Sequence, residues 1–264
     1  MDLIVEKKSQ VLYVTFNRPD MHNSFNPPLI KALRNIFDRD AKKSDVRAVV
    51  LAGAGASFSA GADLTWMKSM VNLSKSRNQK DALELFEMFE TIASCPAPVI
   101  ASVHGNVMGG GVGLAAVADI TLAEFDTKFC FSEVRLGIAP AVISSFVHRK
   151  MQESYARYLL LSARIFYAQT AYQSGVVQFV GRELEMKQQL EMYLDHFKKA
   201  GFEAVRATKK LLNTLEGMTH KQAKLKTTQL IAQLRAGPEG QEGIRAFLEK
   251  RKPNWIEKAN GPKN

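Results

Sequence analysis

The sequence predicts an α/β core followed by a mostly helical region, on three observations. Two runs, Arg47–Ala52 and Pro98–Val103, are apolar almost throughout, as strands buried on both faces are. Amphipathic helical stretches lie between such runs, which is the order of a parallel α/β arrangement. After about Ser144 the strand signals thin out and helical periodicity takes over. The division falls near Phe197, with an α/β core over residues 1–197 and a helical C-terminal region over 198–264.

Each element has a local reason. Leu3 to Phe16 reads as two short strands around Lys7–Gln10, because both alternating sets are β-formers. Asn17, Arg18, Pro19 and Asp20 break that pattern. Pro27 and Pro28 open a helix with Leu29, Leu33, Ile36 and Phe37 on one face. Gly53–Asp63 is a loop of small residues. Gln79–Ala93 is a second amphipathic helix. A glycine-rich turn leads into a helix at Val112–Val117, and Asp119–Leu122 and Lys128–Phe131 are further strands. Met151–Leu161, Glu183–Lys199 and Lys221–Leu234 read as helices. Pro238, Gly240 and Gly243 punctuate the chain before a last helix at Ile244–Lys250.

Composition narrows the function classes. The 264 residues are 46% hydrophobic and 23% charged, which excludes a disordered chain or a disulfide scaffold. Cys95 and Cys130 sit in apolar stretches, no CxxC or Cys/His cluster occurs, and no metal site is expected. Two buried thiols, no secretory signal and no apolar run of spanning length lead us to expect a cytoplasmic protein that engages no membrane. The net charge of +10 is uneven. Met1–Phe197 carries 21 Lys+Arg against 20 Asp+Glu, and Lys198–Asn264 carries 15 against 6. The excess points to an anionic partner of the C-terminal region.

Two glycine-rich turns carry the chemistry. One runs Ser57 to Leu64 after a buried strand. The other runs Gly109 to Leu114 at a helix start. Neither is a phosphate-binding Walker A loop, because no Gly-Lys-Ser/Thr follows. Small side chains expose backbone N–H groups, and a helix N-terminus leaves such donors unpaired. Two donors meeting from separate turns would stabilise a carbonyl oxygen as it gains charge, for which a thioester enolate is a suitable client. Tight turns needing positive φ would give the same composition.

An ordered set of segments resembles the crotonase superfamily of enoyl-CoA hydratases and isomerases. The segments are Phe16–Pro19 with Asn23 and Ser24, Ala48–Leu51, Phe58–Leu64, Pro96–Gly113, Asp119–Ile120, Phe131–Pro140 and Phe247–Pro253. Together they span nearly the whole chain. The resemblance implies a coiled ββα superhelical core, a helical trimerisation region, and assembly as a trimer or hexamer. The implied partner is an acyl-CoA thioester, with no separate cofactor, because coenzyme A is part of the substrate.

Residue by residue, the resemblance makes Ala62 and Gly110 the two oxyanion donors and Glu133 the catalytic carboxylate. Many hydratases of the family hold a second glutamate three residues beyond the oxyanion glycine. That position is Gly113 here. Three readings follow: a one-glutamate hydratase, an isomerase moving a proton between carbons, or a chain that has lost activity. The GGGVGL, SEVRLG and PAVIS pattern is similar to bacterial members assigned to methylglutaconyl-CoA and related branched acyl groups, which favours the hydratase.

Other residues have a functional and a plain reading. The resemblance sets Ala60, Asp63 and Leu64 beside the CoA, although Asp63 would serve equally as a helix N-cap. Trp66 and Met67 line the acyl or pantetheine pocket, or belong to the core. Arg135 could meet a distal acyl carboxylate in a bidentate contact, or be a surface charge. His104 is a second acid/base or a satisfied histidine. Ser144 and Ser145 hold a water or cap a helix. Lys250 and Arg251, with Lys252, Lys209 and Lys210, are candidates for the CoA phosphates. A nucleic-acid partner is disfavoured, because Asp38 and Asp40 interrupt the basic cluster from Lys31 to Lys43 and no RNP aromatic motif occurs.

Overall fold

The structure is a computed structural model that describes residues 1–259. Residues 260–264 of the predicted C-terminal region lie outside the described residues. The chain opens with a hairpin of β1 (Leu3–Lys8) and β2 (Val11–Phe16). Lys8 pairs with Val11, so the link is the two residues Ser9 and Gln10, at φ +48° and +68°. Positive φ at both matches the twist of the flanking strands. Next come α1 (Pro27–Arg39), β3 (Ala48–Gly53), β4 (Ser57–Ser59), α2 (Leu64–Met70) and α3 (Lys75–Ala93). The chain continues through β5 (Val99–Val103), β6 (Asn106–Met108), α4 (Gly110–Val117), β7 (Ile120–Glu124) and β8 (Lys128–Cys130).

Successive strand pairs divide between two sheets. β3, β5 and β7 enter one sheet, and β4, β6 and β8 enter the other, all in parallel pairing. This is the coiled ββα core. The first sheet, in the order β1-β2-β3-β5-β7-β10, is apolar on both faces. Val49, Leu51, Val99 and Ala101 face the main core with α1 and α3. Ala48, Val50, Ile100 and Leu122 face outward and meet Met186 and Leu194. Burial on both faces is why these strands read as unbroken apolar runs.

The remaining elements are α5 (Ala141–Lys150), α6 (Glu153–Ser162), β9 (Phe166–Tyr167), α7 (Ala168–Ser174), β10 (Phe179–Gly181), α8 (Glu183–Lys199), α9 (Phe202–Leu215), α10 (His220–Ala236), α11 (Pro238–Leu248) and α12 (Asn254–Ala259). The outward sheet face is covered by α8, which ends two residues past the predicted division. Beyond it, α9 straps the helical region to the core. Lys209 Nζ is buried and donates to Asp119 at 2.6 Å and to the Ala97 carbonyl at 3.1 Å. The Arg206 guanidinium stacks on Phe202, 4.1 Å from the ring centroid, and reaches the Lys43 carbonyl. Among the described residues no helix is long and apolar enough to cross a membrane.

Several elements differ from expectation. The loop predicted at Gly53–Asp63 contains β4, a three-residue strand with two serines, so it lacks a strand signature. Ser74 caps α3, which therefore starts four residues before Gln79. No helix is expected from the sequence at α9, which is amphipathic but carries Arg206 and Lys209 on the face turned to the core. Pro238 begins α11 instead of ending an element, since a proline is tolerated at a first helical position.

Candidate active site

The two glycine-rich turns come together around Phe25. Phe25 N donates to the Gly61 carbonyl at 2.6 Å, and Asp63 N donates to the Phe25 carbonyl at 2.7 Å. Ala62 lies between these two bonds, so its own N–H points away from Phe25. Gly61 has φ +84°, and a Cβ there would lie 2.8 Å from the Met108 carbonyl and 3.5 Å from Gly110 N. Only glycine permits that approach. Gly110 is the first residue of α4, so its N–H has no carbonyl one turn earlier. Among the described residues neither Ala62 N nor Gly110 N has a hydrogen-bond acceptor. Two unpaired amides thus come from adjacent turns, one of them at a helix N-terminus.

Glu133 stands beside them. It opens a 3₁₀ turn, Glu133–Leu136, rather than ending a strand. Its Oε1 is 3.0 Å from where a Cβ on Gly109 would lie, so the carboxylate rests on the glycine that precedes α4. Its Oε2 is buried without a hydrogen-bond partner. Burial pushes its pKa above the ordinary carboxylate value. A carboxyl group held this way, with one oxygen unpaired, is placed to take up and release a proton.

The position of the second family glutamate has a different character. Gly113 is buried one turn along α4, and a Cβ there would lie 2.6 Å from Ile143 Cγ2 and 2.9 Å from Phe89 Cζ. Those two side chains occupy the space a carboxylate would need. α4 is anchored at its other end by Lys150, whose Nζ donates to the Ala115 and Ala118 carbonyls and to Thr121 Oγ1. Burial lowers the pKa of that ammonium to about 7.

Several candidate ligands have structural partners. Asp63 caps α2, accepting from Thr65 N at 2.8 Å and Trp66 N at 3.4 Å, and it pairs with Arg18 at 2.8 Å. The Arg18 bond holds its carboxyl below the ordinary range. This is the capping role, and it leaves the carboxylate engaged. Trp66 is buried in the main core, Leu64 is exposed, and Ala60 donates its N–H to the His22 carbonyl. Arg135 does not project as a free cation, because its Nη2 donates to the Ala163 carbonyl at 2.6 Å. Arg251 pairs with Glu242 and Glu249, and Lys250 is exposed. Lys209 is committed to Asp119.

The remaining candidates follow the same pattern. His104 Nε2 lies 2.8 Å from the Gly55 carbonyl, as a satisfied histidine would. Ser144 and Ser145 lie inside α5, and each hydroxyl donates to a carbonyl of its own helix, so neither is a cap. Among the described residues no three His, Cys, Asp or Glu side chains group as metal ligands. Phe25, Phe89 and Ile143 are the site residues that sequence reading did not single out. The first sits in a polar break, and the second reads as ordinary core.

Comparison with known proteins shows the family and the fold. The enoyl-CoA hydratase/isomerase family matches residues 6–258. The 2,3-dehydroadipyl-CoA hydratase of Escherichia coli is 29% identical over 256 residues, covering 96% of this chain and 98% of that protein. The mitochondrial Δ(3,5)-Δ(2,4)-dienoyl-CoA isomerase of Mus musculus is 34% identical over 187 residues, 67% of this chain and 57% of that one. An enoyl-CoA hydratase structure from Shewanella pealeana superposes with a TM-score of 0.92 at 32% identity, covering 97% of this chain and 96% of that one. The chain belongs to the enoyl-CoA hydratase/isomerase family, whose members act on acyl-CoA thioesters.

Proposed function

We propose that this protein is an acyl-CoA hydratase that adds water to a 2-enoyl-CoA with Glu133 as its one acid–base carboxylate. The observation that carries the reading is the Glu133 carboxylate lying against Gly109, next to the unpaired Ala62 and Gly110 amides. In this reading the thioester oxygen accepts from both N–H groups, which form the oxyanion hole. Water held by Glu133 adds to the β-carbon. The carbon–carbon π pair moves onto the α-carbon and thioester oxygen as an enolate, and the water proton passes to Glu133. Glu133 then delivers a proton to the α-carbon and the enolate collapses. The net change is addition of H and OH across the double bond, and the steps as drawn take no separate cofactor.

The acyl group is read as branched, with methylglutaconyl-CoA or a relative as the leading candidate on the sequence pattern. The full-length hydratase relative supports hydration. The apolar filling opposite Glu133 favours a second reading, isomerisation, because moving a proton between two carbons needs only one carboxylate. Exposed Leu212, Leu225, Phe247 and Leu248 in the helical region support self-association as a trimer or hexamer. The location is read as cytoplasmic.

A panel of 2-enoyl-CoA esters, followed by loss of conjugated thioester absorbance, tests the function. A 3-enoyl-CoA control separates the two readings. Hydration of a branched 2-enoyl ester, with only slow isomerisation of the control, is the expected result. Turnover of the 3-enoyl ester alone would replace hydratase with isomerase.

A further inference from the structure

One carbonyl gathers the segment that carries Glu133. α6 ends at Ala163, a buried non-glycine residue in the left-handed region at φ +48°. The end of a helix leaves carbonyls unpaired and favours a cation nearby. Arg135 supplies that cation, its Nη2 donating to the Ala163 carbonyl at 2.6 Å. The Cys130 thiol donates to the same oxygen at 3.2 Å. These donors lie three residues before and two residues after Glu133. The Cys130 carbonyl in turn accepts from Gly109 N at 2.8 Å. The turn bearing the carboxylate is thereby tied at both ends to α6 and at one end to the glycine turn beneath it.

We propose that Arg135 is a positioning residue, which with Cys130 clamps the Glu133 turn onto the Ala163 carbonyl and so sets the carboxylate against Gly109. The proposal rests on the reading of Glu133 as the acid–base group. It replaces the idea that Arg135 binds an acyl carboxylate. The Arg135 guanidinium is engaged by a protein carbonyl, so the role assigned to it is to hold the turn rather than to bind the acyl group. Its effect passes through where Glu133 sits, and its bond to a buried carbonyl leaves the carboxylate one well-defined position. Positioning errors of about 1 Å can cost 10²-fold in rate.

The test compares R135A, R135K, E133Q and the double variant R135A/E133Q on the best ester from the panel. R135A is expected to lower kcat about 10- to 100-fold with KM little changed. R135K keeps the charge and one donor, and is expected to recover most of the loss. The double variant is expected to be no slower than E133Q, because the two residues act as one unit. Should R135A not fold, R135Q carries the same comparison. Wild-type kcat in folded R135A, or a loss confined to KM for carboxylated acyl groups, overturns the clamp. Full activity in E133Q defeats the reading of Glu133 itself, whereas an inactive E133Q beside a normal R135A defeats the clamp alone.

Discussion

Two glycines one turn apart in and before α4 meet opposite surroundings. Over Gly109 lies a carboxylate with one oxygen buried and unpaired. Over Gly113 lie the hydrocarbon of Ile143 and the ring of Phe89. Both glycines do the same mechanical job, letting another element come closer than a Cβ would allow. What differs is the element that arrives: a 3₁₀ turn in one case and the packed faces of α3 and α5 in the other. At these two positions the chemistry is therefore set by the neighbours and not by the glycine itself.

The strongest way to break this contrast is to remove the charge from its polar end. Glu133→Gln keeps the shape and removes the base, and kcat is expected to fall by about 10²–10⁴. The variant should still bind acyl-CoA, because the two amides are backbone groups, and calorimetric binding alongside turnover checks both halves. At the apolar end, Phe89→Ala empties part of a full core and should cost about 3–5 kcal/mol, read by denaturant unfolding. Gly113→Ala adds one methyl where Ile143 Cγ2 already stands, and overpacking of that size costs about 1–3 kcal/mol. In the Phe89→Ala background that second cost should shrink, because the two sites share one space. Strict additivity would show that Phe89 does not fill the Gly113 position.

The same contrast explains how much was legible beforehand. The buried strands and the amphipathic helices were readable because their apolar pattern repeats with a local period. The two glycine turns were readable because small residues at a helix start are a local signal. Ile143 facing Gly113 was not, because a contact between α5 and α4 leaves no periodic trace in either segment. Phe89 looked like core and is core, and its importance comes only from what it displaces. Asp63 has two readings in the sequence, and the Thr65 amide shows that it caps α2. Arg251 is a candidate phosphate ligand in the sequence, and only the fold brings Glu242 to it. Charge counts along a chain register lysines and arginines, but not which of them are already neutralised by a partner distant in sequence.

The smallest expected effect is on stability, and it has a definite sign. Burial raises the Glu133 pKa above its ordinary value of 4.5, so the folded chain holds this proton to higher pH than the unfolded chain does. The favourable contribution is complete below the ordinary value and is lost as pH rises through the folded value. Above its folded pKa the native protein carries an ionised, poorly solvated carboxylate, which Glu133→Gln removes. The variant should therefore gain stability relative to the wild type as pH rises through the folded value. The gain should vanish below about pH 4, where both side chains are neutral. Thermal melts of the two proteins across that range check the sign. A difference that stays constant with pH would mean that packing, rather than ionisation, separates them, and the carboxylate would lose its claim to a raised pKa.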